Sequence, residues 1–243
     1  MKKKMLFGLL VVGLIVCLTS APAQAQDTSK FSLFGGYSYL LDNLGTNIAC
    51  TNSNIDWCGL GKPGYHGYTA AFVYNFNNHI GLEANFSGHN GSPVLLSYPV
   101  TSTDNGEILK APSDVYTYTF GPKLTQPVGN FALFTHVLVG VMHAHEGLAD
   151  MCVLSTGSEG CFTNAFSSAH GTGMAFKTGG GVDWNHGRWG IRILEVDYIH
   201  SSVNATVACS NNFDFFCSQP ETRSTTANNF ELSTGITVHF GGK

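Results

Sequence analysis

The chain has 243 residues, and its 12 Lys and Arg against 16 Asp and Glu give a formal net charge of −4. That acidic balance excludes a basic nucleic-acid-binding surface. With 29 Gly and 17 Phe beside only 12% charged residues, the composition mixes turn formers with strand formers, and capped amphipathic segments of helical period are missing.

Residues 1–25 have the three zones of a secretory signal peptide: Lys2, Lys3 and Lys4, an apolar run from Met5 to Leu18, and small residues ending Ala23-Gln24-Ala25. The run is too short for a membrane-spanning helix of about 20 residues. Lipidation at Cys17 is disfavoured, because Val16 stands where such signals place a small residue. The mature chain is expected to begin at Gln26, and removal of the three lysines leaves nine basic against sixteen acidic residues, a net −7. No linker divides 26–243, so it is read as one domain.

Eight strands follow by alternation at period two. The first, "KFSLFGGYSYLLD", sets Phe31, Leu33, Tyr37, Tyr39 and Leu41 against Ser32, Gly36 and Ser38. The second and third, "GYTAAFVYNF" and "HIGLEANFS", meet at Asn77-Asn78. In the fourth, "VYTYTFGPKLT", Tyr116, Tyr118, Phe120 and Leu124 oppose Thr117, Thr119 and Lys123. The fifth, "FALFTHVLVGVMHAH", is apolar on both parities, and His136 and Gly140 are assigned inward. The sixth, "GMAFKTGGGVDW", sets Met174, Phe176, Val182 and Trp184 against Lys177, Gly179 and Asp183. In the seventh, "WGIRILEVDYIH", Leu194, Val196 and Tyr198 oppose Glu195 and Asp197, and the eighth runs from Phe230 to Phe240.

Links after strands two, four and six are tight and rich in Asn, Gly or Pro, while those after strands one, three, five and seven run to roughly 23–27 residues. In an antiparallel meander this sends every long loop to one end. The pattern is that of an eight-stranded antiparallel up-and-down transmembrane β-barrel, closed so that every backbone group is paired. Aromatic residues fall towards strand ends, where interfacial girdles sit.

On its signal peptide, eight amphipathic strands, loop asymmetry and the "TVHF" near its end, the chain resembles the small OmpA-like outer-membrane barrel family. The resemblance implies residence in the cell outer membrane, contact with its lipid, assembly through the C-terminal strand by the barrel-assembly machinery, a monomer and no cofactor. It implies no enzymatic activity. The chain stops at the eighth strand, so the peptidoglycan-binding domain of some relatives is not expected.

Six cysteines lie pairwise in three long loops: Cys50 with Cys58, Cys152 with Cys161, and Cys209 with Cys217. Pairing within each loop needs no contact between loops, and export passes through an oxidising compartment, so disulfides are favoured over a metal site. Inward parity carries Glu83, Lys123, Lys177, Asp183, Glu195, Asp197 and Glu231. Buried charges persist when paired, so a lumen plugged by a polar network is expected, with Lys177, Glu195, Asp197 and Glu231 brought together. The alternative is a narrow cation-preferring pore.

Three chemical sites merit weighing. "HAHEG" puts His143 and His145 on one face beside Glu146, a transition-metal pattern for which spacing fixes no third ligand. "YIHSSVN" distantly resembles the His-x-Ser stretch of outer-membrane lipid A deacylases at His200 and Ser202, but the following Asn is displaced to Asn204 and the next carboxylate in sequence is Asp214. The loop tips "CTNSNIDWC" and "CSNNFDFFC" would display Ile55, Trp57, Phe213, Phe215 and Phe216, anchors for an extracellular ligand or surface. Adhesion or ligand binding through loops is the preferred function. A secreted lipocalin-like barrel is disfavoured, because the polar parity is too charged to line an apolar cavity and too thinly charged to coat a soluble surface.

Overall fold

The computed structural model describes residues 29–41, 64–91, 94–97, 106–110, 113–146, 150–155, 158–162, 168–208 and 221–241. Eight strands form a closed antiparallel barrel: β1 (Phe31–Leu41), β2 (Gly64–Asn75), β3 (Ile80–Gly91), β6 (Ser113–Val128), β7 (Phe131–Glu146), β10 (Ser168–His186), β11 (Trp189–Ala208) and β12 (Glu221–Phe240). Four shorter strands, β4 (Val94–Ser97), β5 (Gly106–Lys110), β8 (Asp150–Ser155) and β9 (Ser158–Phe162), make a second sheet in the order β4-β5-β8-β9. Each of the eight expected strands is present in the barrel. The second sheet was not expected, because its strands are too short to display a period.

Closure falls between the first and last strands, in register from Phe31 opposite Phe240 to Leu41 opposite Phe230. The links β2/β3, β6/β7 and β10/β11 all lie at one end. There Gly129 and Gly187 take φ of 60° and 62°, the left-handed conformation that two-residue hairpin turns require. At the β2/β3 turn the Asn77 side-chain oxygen accepts from the amides of His79 and Ile80, both at 2.8 Å. The second sheet grows from the opposite end: β4 and β5 lie between β3 and β6, β8 and β9 between β7 and β10, and pairing of β5 with β8 joins the two hairpins.

Apolar side chains cover the barrel exterior and charged ones fill its interior. Leu33, Phe72, Phe120, Val139, Phe176, Val196 and Ile236 are exposed, whereas Glu83, Lys177, Arg192, Glu195, Asp197 and Glu231 are at most 1% exposed. This inverts a water-soluble protein and suits a closed sheet in hydrocarbon, where each strand pairs its backbone with two neighbours. The chain is an eight-stranded transmembrane β-barrel. On β7, whose facing alternation leaves open, His136, Leu138 and Met142 point inward and Val137, Val139 and Val141 outward.

The last three barrel strands run beyond their apolar alternation towards the long-loop end. β11 continues from His200 to Ala208 and β12 begins at Glu221, with Ala205 opposite Arg223 and Val207 opposite Glu221. On β11 the extension still alternates, but with Val203 buried inside and Ser202 and Asn204 outside, the reverse of the apolar-outward pattern nearer the tight turns.

Candidate functional site

The interior is built in layers. At the tight-turn end a cavity of about 900 Å3 opens between Ser32, Asn75, Thr125, Asn185, Arg188 and His239 and ends on Phe34, Lys123, Asp183 and Arg192. Next comes a layer of buried charges. Beyond it, Leu40, Tyr65, Val115, Met142, Ala144, Ala175, Ile199, Val203 and Ala227 form an apolar cluster inside the long-loop half of the barrel.

Arg192 floors the cavity. Its Nε and Nη2 donate to the two carboxylate oxygens of Asp183 at 2.8 and 3.3 Å, and its Nη1 donates to Glu195 at 3.0 Å. The guanidinium lies between two rings, its Cζ 3.9 Å from the centre of Phe34 and 4.3 Å from that of Phe134, and Lys123 Nζ sits 3.9 Å from Phe134. A planar cation that is weakly hydrated and has a fixed fork of donors suits this burial. Lys123 pairs with Glu83 at 3.2 Å.

His136 carries the network across the lumen. Its Nε2 lies 3.0 Å from Asp197, and its Nδ1 lies 3.3 Å from Glu83 and 3.9 Å from Glu195. Lys177 then spans Asp197 at 2.9 Å and Glu231 at 3.0 Å, with Asn85 accepting at 3.2 Å. Ser38 and Ser87 donate to Glu231 at 2.8 and 3.3 Å, and Ser38 also meets His89 at 2.7 Å. Ser233 donates to Glu195. Glycine makes room for these groups: a Cβ at Gly179 would collide with Asp197, and one at Gly181 would come within 2.8 Å of the Phe134 ring.

All seven inward charges read from the sequence, Glu83, Lys123, Lys177, Asp183, Glu195, Asp197 and Glu231, are buried in this interior. Their grouping differs from the expected one. Lys177 joins Asp197 and Glu231, while Glu195 turns to Arg192, which simple alternation places outside with Leu194. The reason is a β-bulge. Between Arg192 and Glu195 the strand gains one residue against β12, so that Ile193 and Leu194 both face outward, 51% and 48% exposed. The expected count of two cations against five acids is thus corrected by Arg192, with His136 set among three of the acids. The signal in the sequence was the pair of adjacent apolar residues, Ile193-Leu194, between two charges.

His136, Glu195 and Asp197 each offer one donor within a 4.8 Å span. Lys177 and Arg192 already engage the two carboxylates, so the group works as a salt-bridge crossing rather than as a ligand set. The apolar cluster beyond it gives the lumen a second filling that the sequence reading did not include.

On the exterior, His200 Nδ1 and Tyr198 Oη both meet the side-chain oxygen of Asn228, at 2.8 and 2.6 Å. Ser202 stands two residues along on the same outward face. Asn228 stands where the third member of a hydrolytic triad would orient the imidazole, a place that an amide as well as a carboxylate can hold. His143 Nδ1 meets Thr172 Oγ1 at 2.7 Å. Cys152 and Cys161 stand directly opposite each other in the β8/β9 ladder. Cys50, Cys58, Cys209, Cys217, Trp57, Phe213, Phe215 and Phe216 lie outside the described residues, as does the expected signal peptide.

No protein-family model matches the chain, and no curated protein matches it. Several solved structures resemble it. Ail, the attachment invasion locus protein of Yersinia pestis, is 15% identical, with 86% of this chain and 99% of that one covered and a TM-score of 0.45. OprG from Pseudomonas aeruginosa is 13% identical over 91% and 100% of the two chains, with a TM-score of 0.49. Neisserial surface protein A is 14% identical over 87% and 98%, with a TM-score of 0.40. All three are small eight-stranded outer-membrane barrels, and the likeness is one of architecture.

Proposed function

We propose that this chain is a monomeric outer-membrane barrel whose work is done at its surface, where it presents a sheet built from two long loops to an extracellular ligand or surface. The observation that carries the reading is the pairing of β5 with β8, which joins hairpins from two separate loops at the long-loop end of a barrel whose interior is occupied by its own side chains. A filled lumen supports a binding or structural role over a cation-preferring pore.

The remaining parts fit one route. A signal peptide over 1–25 exports the chain, the C-terminal strand ending at Phe240 engages the assembly machinery, and disulfides Cys50–Cys58, Cys152–Cys161 and Cys209–Cys217 brace the loops. Trp57, Phe213, Phe215 and Phe216, which belong to the other two long loops, add aromatic anchors.

The test displays the chain on cells, with residues 92–112 and 147–167 each replaced by a short Gly-Ser turn in the comparison variant. Wild-type cells are expected to adhere to a host-cell, matrix or abiotic surface, and the variant to lose that adhesion while its barrel still migrates as a heat-modifiable band. Equal adhesion of the two on every surface where the chain confers any, or no adhesion above cells lacking the chain, overturns the reading.

A further inference from the structure

The His143-x-His145 pair lacked a third ligand in the sequence, and the barrel register supplies one. On the exterior, Asp114 of β6 stands directly opposite His145 of β7, and His145 directly opposite His170 of β10. All three face outward in a single row across three neighbouring strands, and His143 lies one pleat below His145 on the same face. Directly opposed side chains on adjacent strands have Cβ atoms roughly 4.5–5.5 Å apart, so that two imidazoles and a carboxylate, whose donor atoms stand apart in this structure, can be brought onto one ion by side-chain rotation alone. Three imidazoles with one carboxylate suit a borderline divalent transition ion, and four such ligands complete a tetrahedral zinc shell.

We infer that Asp114, His143, His145 and His170 form a surface site for a divalent transition-metal ion, Zn2+ or Cu2+, on the outer wall of the barrel. The site lies where the apolar outward run Val137, Val139, Val141 gives way to histidine. It also lies at the foot of the second sheet, since β7 ends at Glu146 just before β8 and β10 begins at Ser168 after β9. A bound ion would clamp the ends of β6, β7 and β10 from which both hairpins spring. The buried trio His136, Glu195 and Asp197 is a poorer host, because an added dication would face Lys177 and Arg192 at the carboxylates they already engage.

The experiment is calorimetric titration of Zn2+ into the tag-free full-length chain folded in detergent micelles, with electron paramagnetic resonance of Cu2+ as a second readout. One ion per chain is expected, with nitrogen coupling in the Cu2+ spectrum. Loss of a ligand costs no less than loss of its outer-shell support, so His145→Ala and His170→Ala should each weaken binding by about 10- to 100-fold. His79→Ala, at the tight-turn end, and His136→Gln, in the lumen, should leave it unchanged. Heat-modifiable migration of each variant establishes that the barrel is intact. Absence of stoichiometric binding, full binding by the His145→Ala/His170→Ala double variant, or loss of binding on His136→Gln overturns the site.

Discussion

Arg192 is the residue on which the interior depends most. It is buried between Phe34 and Phe134 and pairs with both Asp183 and Glu195. Its removal strands two buried carboxylates, and breaking a buried pair costs about 3–5 kcal/mol where an apolar replacement of the whole pair can be neutral. Arg192→Ala is therefore expected to destabilise the folded barrel in micelles by an amount in that range, read as a lower urea midpoint at unchanged slope. Arg192→Lys keeps the charge but loses the fork and the flat face that stacks between the rings, so its midpoint should fall between the two. Equal midpoints for Arg192→Lys and wild type would mean that charge alone matters there. Neither substitution exposes apolar surface to water outside the barrel, so migration on a gel does not report the effect and the denaturant curve is the measurement.

At the scale of elements, the bulge in β11 decides which way Arg192 points. The extra residue lies between Arg192 and Glu195, and removing one of the two outward apolar residues would restore plain alternation without turning either charge outward. Deletion of Leu194 should thus still yield a heat-modifiable barrel. Deletion of Val196 reverses the facing of one part of β11 relative to the other, sending buried charges towards lipid, and should abolish it. The comparison also shows what the sequence made legible. Alternation on β2, β3, β6 and β12 marked strands and facing correctly, because each has one apolar and one polar side. It failed at Arg192, where a bulge breaks the period, and it was silent about β4, β5, β8 and β9, each of which has four to six residues. Pairing across strands is invisible in sequence for a further reason: His145 and His170 become neighbours only through register. The same holds for Cys152 and Cys161, which the β8/β9 ladder sets opposite each other. A disulfide there closes a short loop and is expected to contribute about 2.5 kcal/mol in the chain-entropy model. Unreduced peptide mapping should recover the two cysteines joined, and Cys161→Ser should make the β8–β9 segment sensitive to protease while the barrel core resists. Free thiols at both positions in the exported protein would contradict the pairing.

For the molecule as a whole, the interior is closed twice, by different physics. The charged layer from Arg192 to Glu231 closes the half near the tight turns, and the apolar cluster around Tyr65, Met142 and Ile199 closes the half near the long loops. An eight-stranded barrel is just wide enough for side chains to fill, so either layer should suffice to exclude solutes. Thinning the apolar layer with Met142→Gly and Ile199→Gly therefore tests the charged layer alone. Proteoliposomes of wild type and of this double variant are both expected to be silent in arabinose swelling and in single-channel recording, since a solute entering past the thinned cluster still meets Lys177 bridging Asp197 and Glu231 across strands. Adding Lys177→Met, Asp197→Asn and Glu231→Gln to the double variant removes the bridging cation and both of its anions together, so that no carboxylate is left there without its cation, and conductance should then appear. Wild-type conductance would show that the ion pairs open on the timescale of permeation and would return the chain to the class of narrow pores. Conductance in the double variant alone would place the seal in the apolar layer and leave the charges as a scaffold that holds the strands in register.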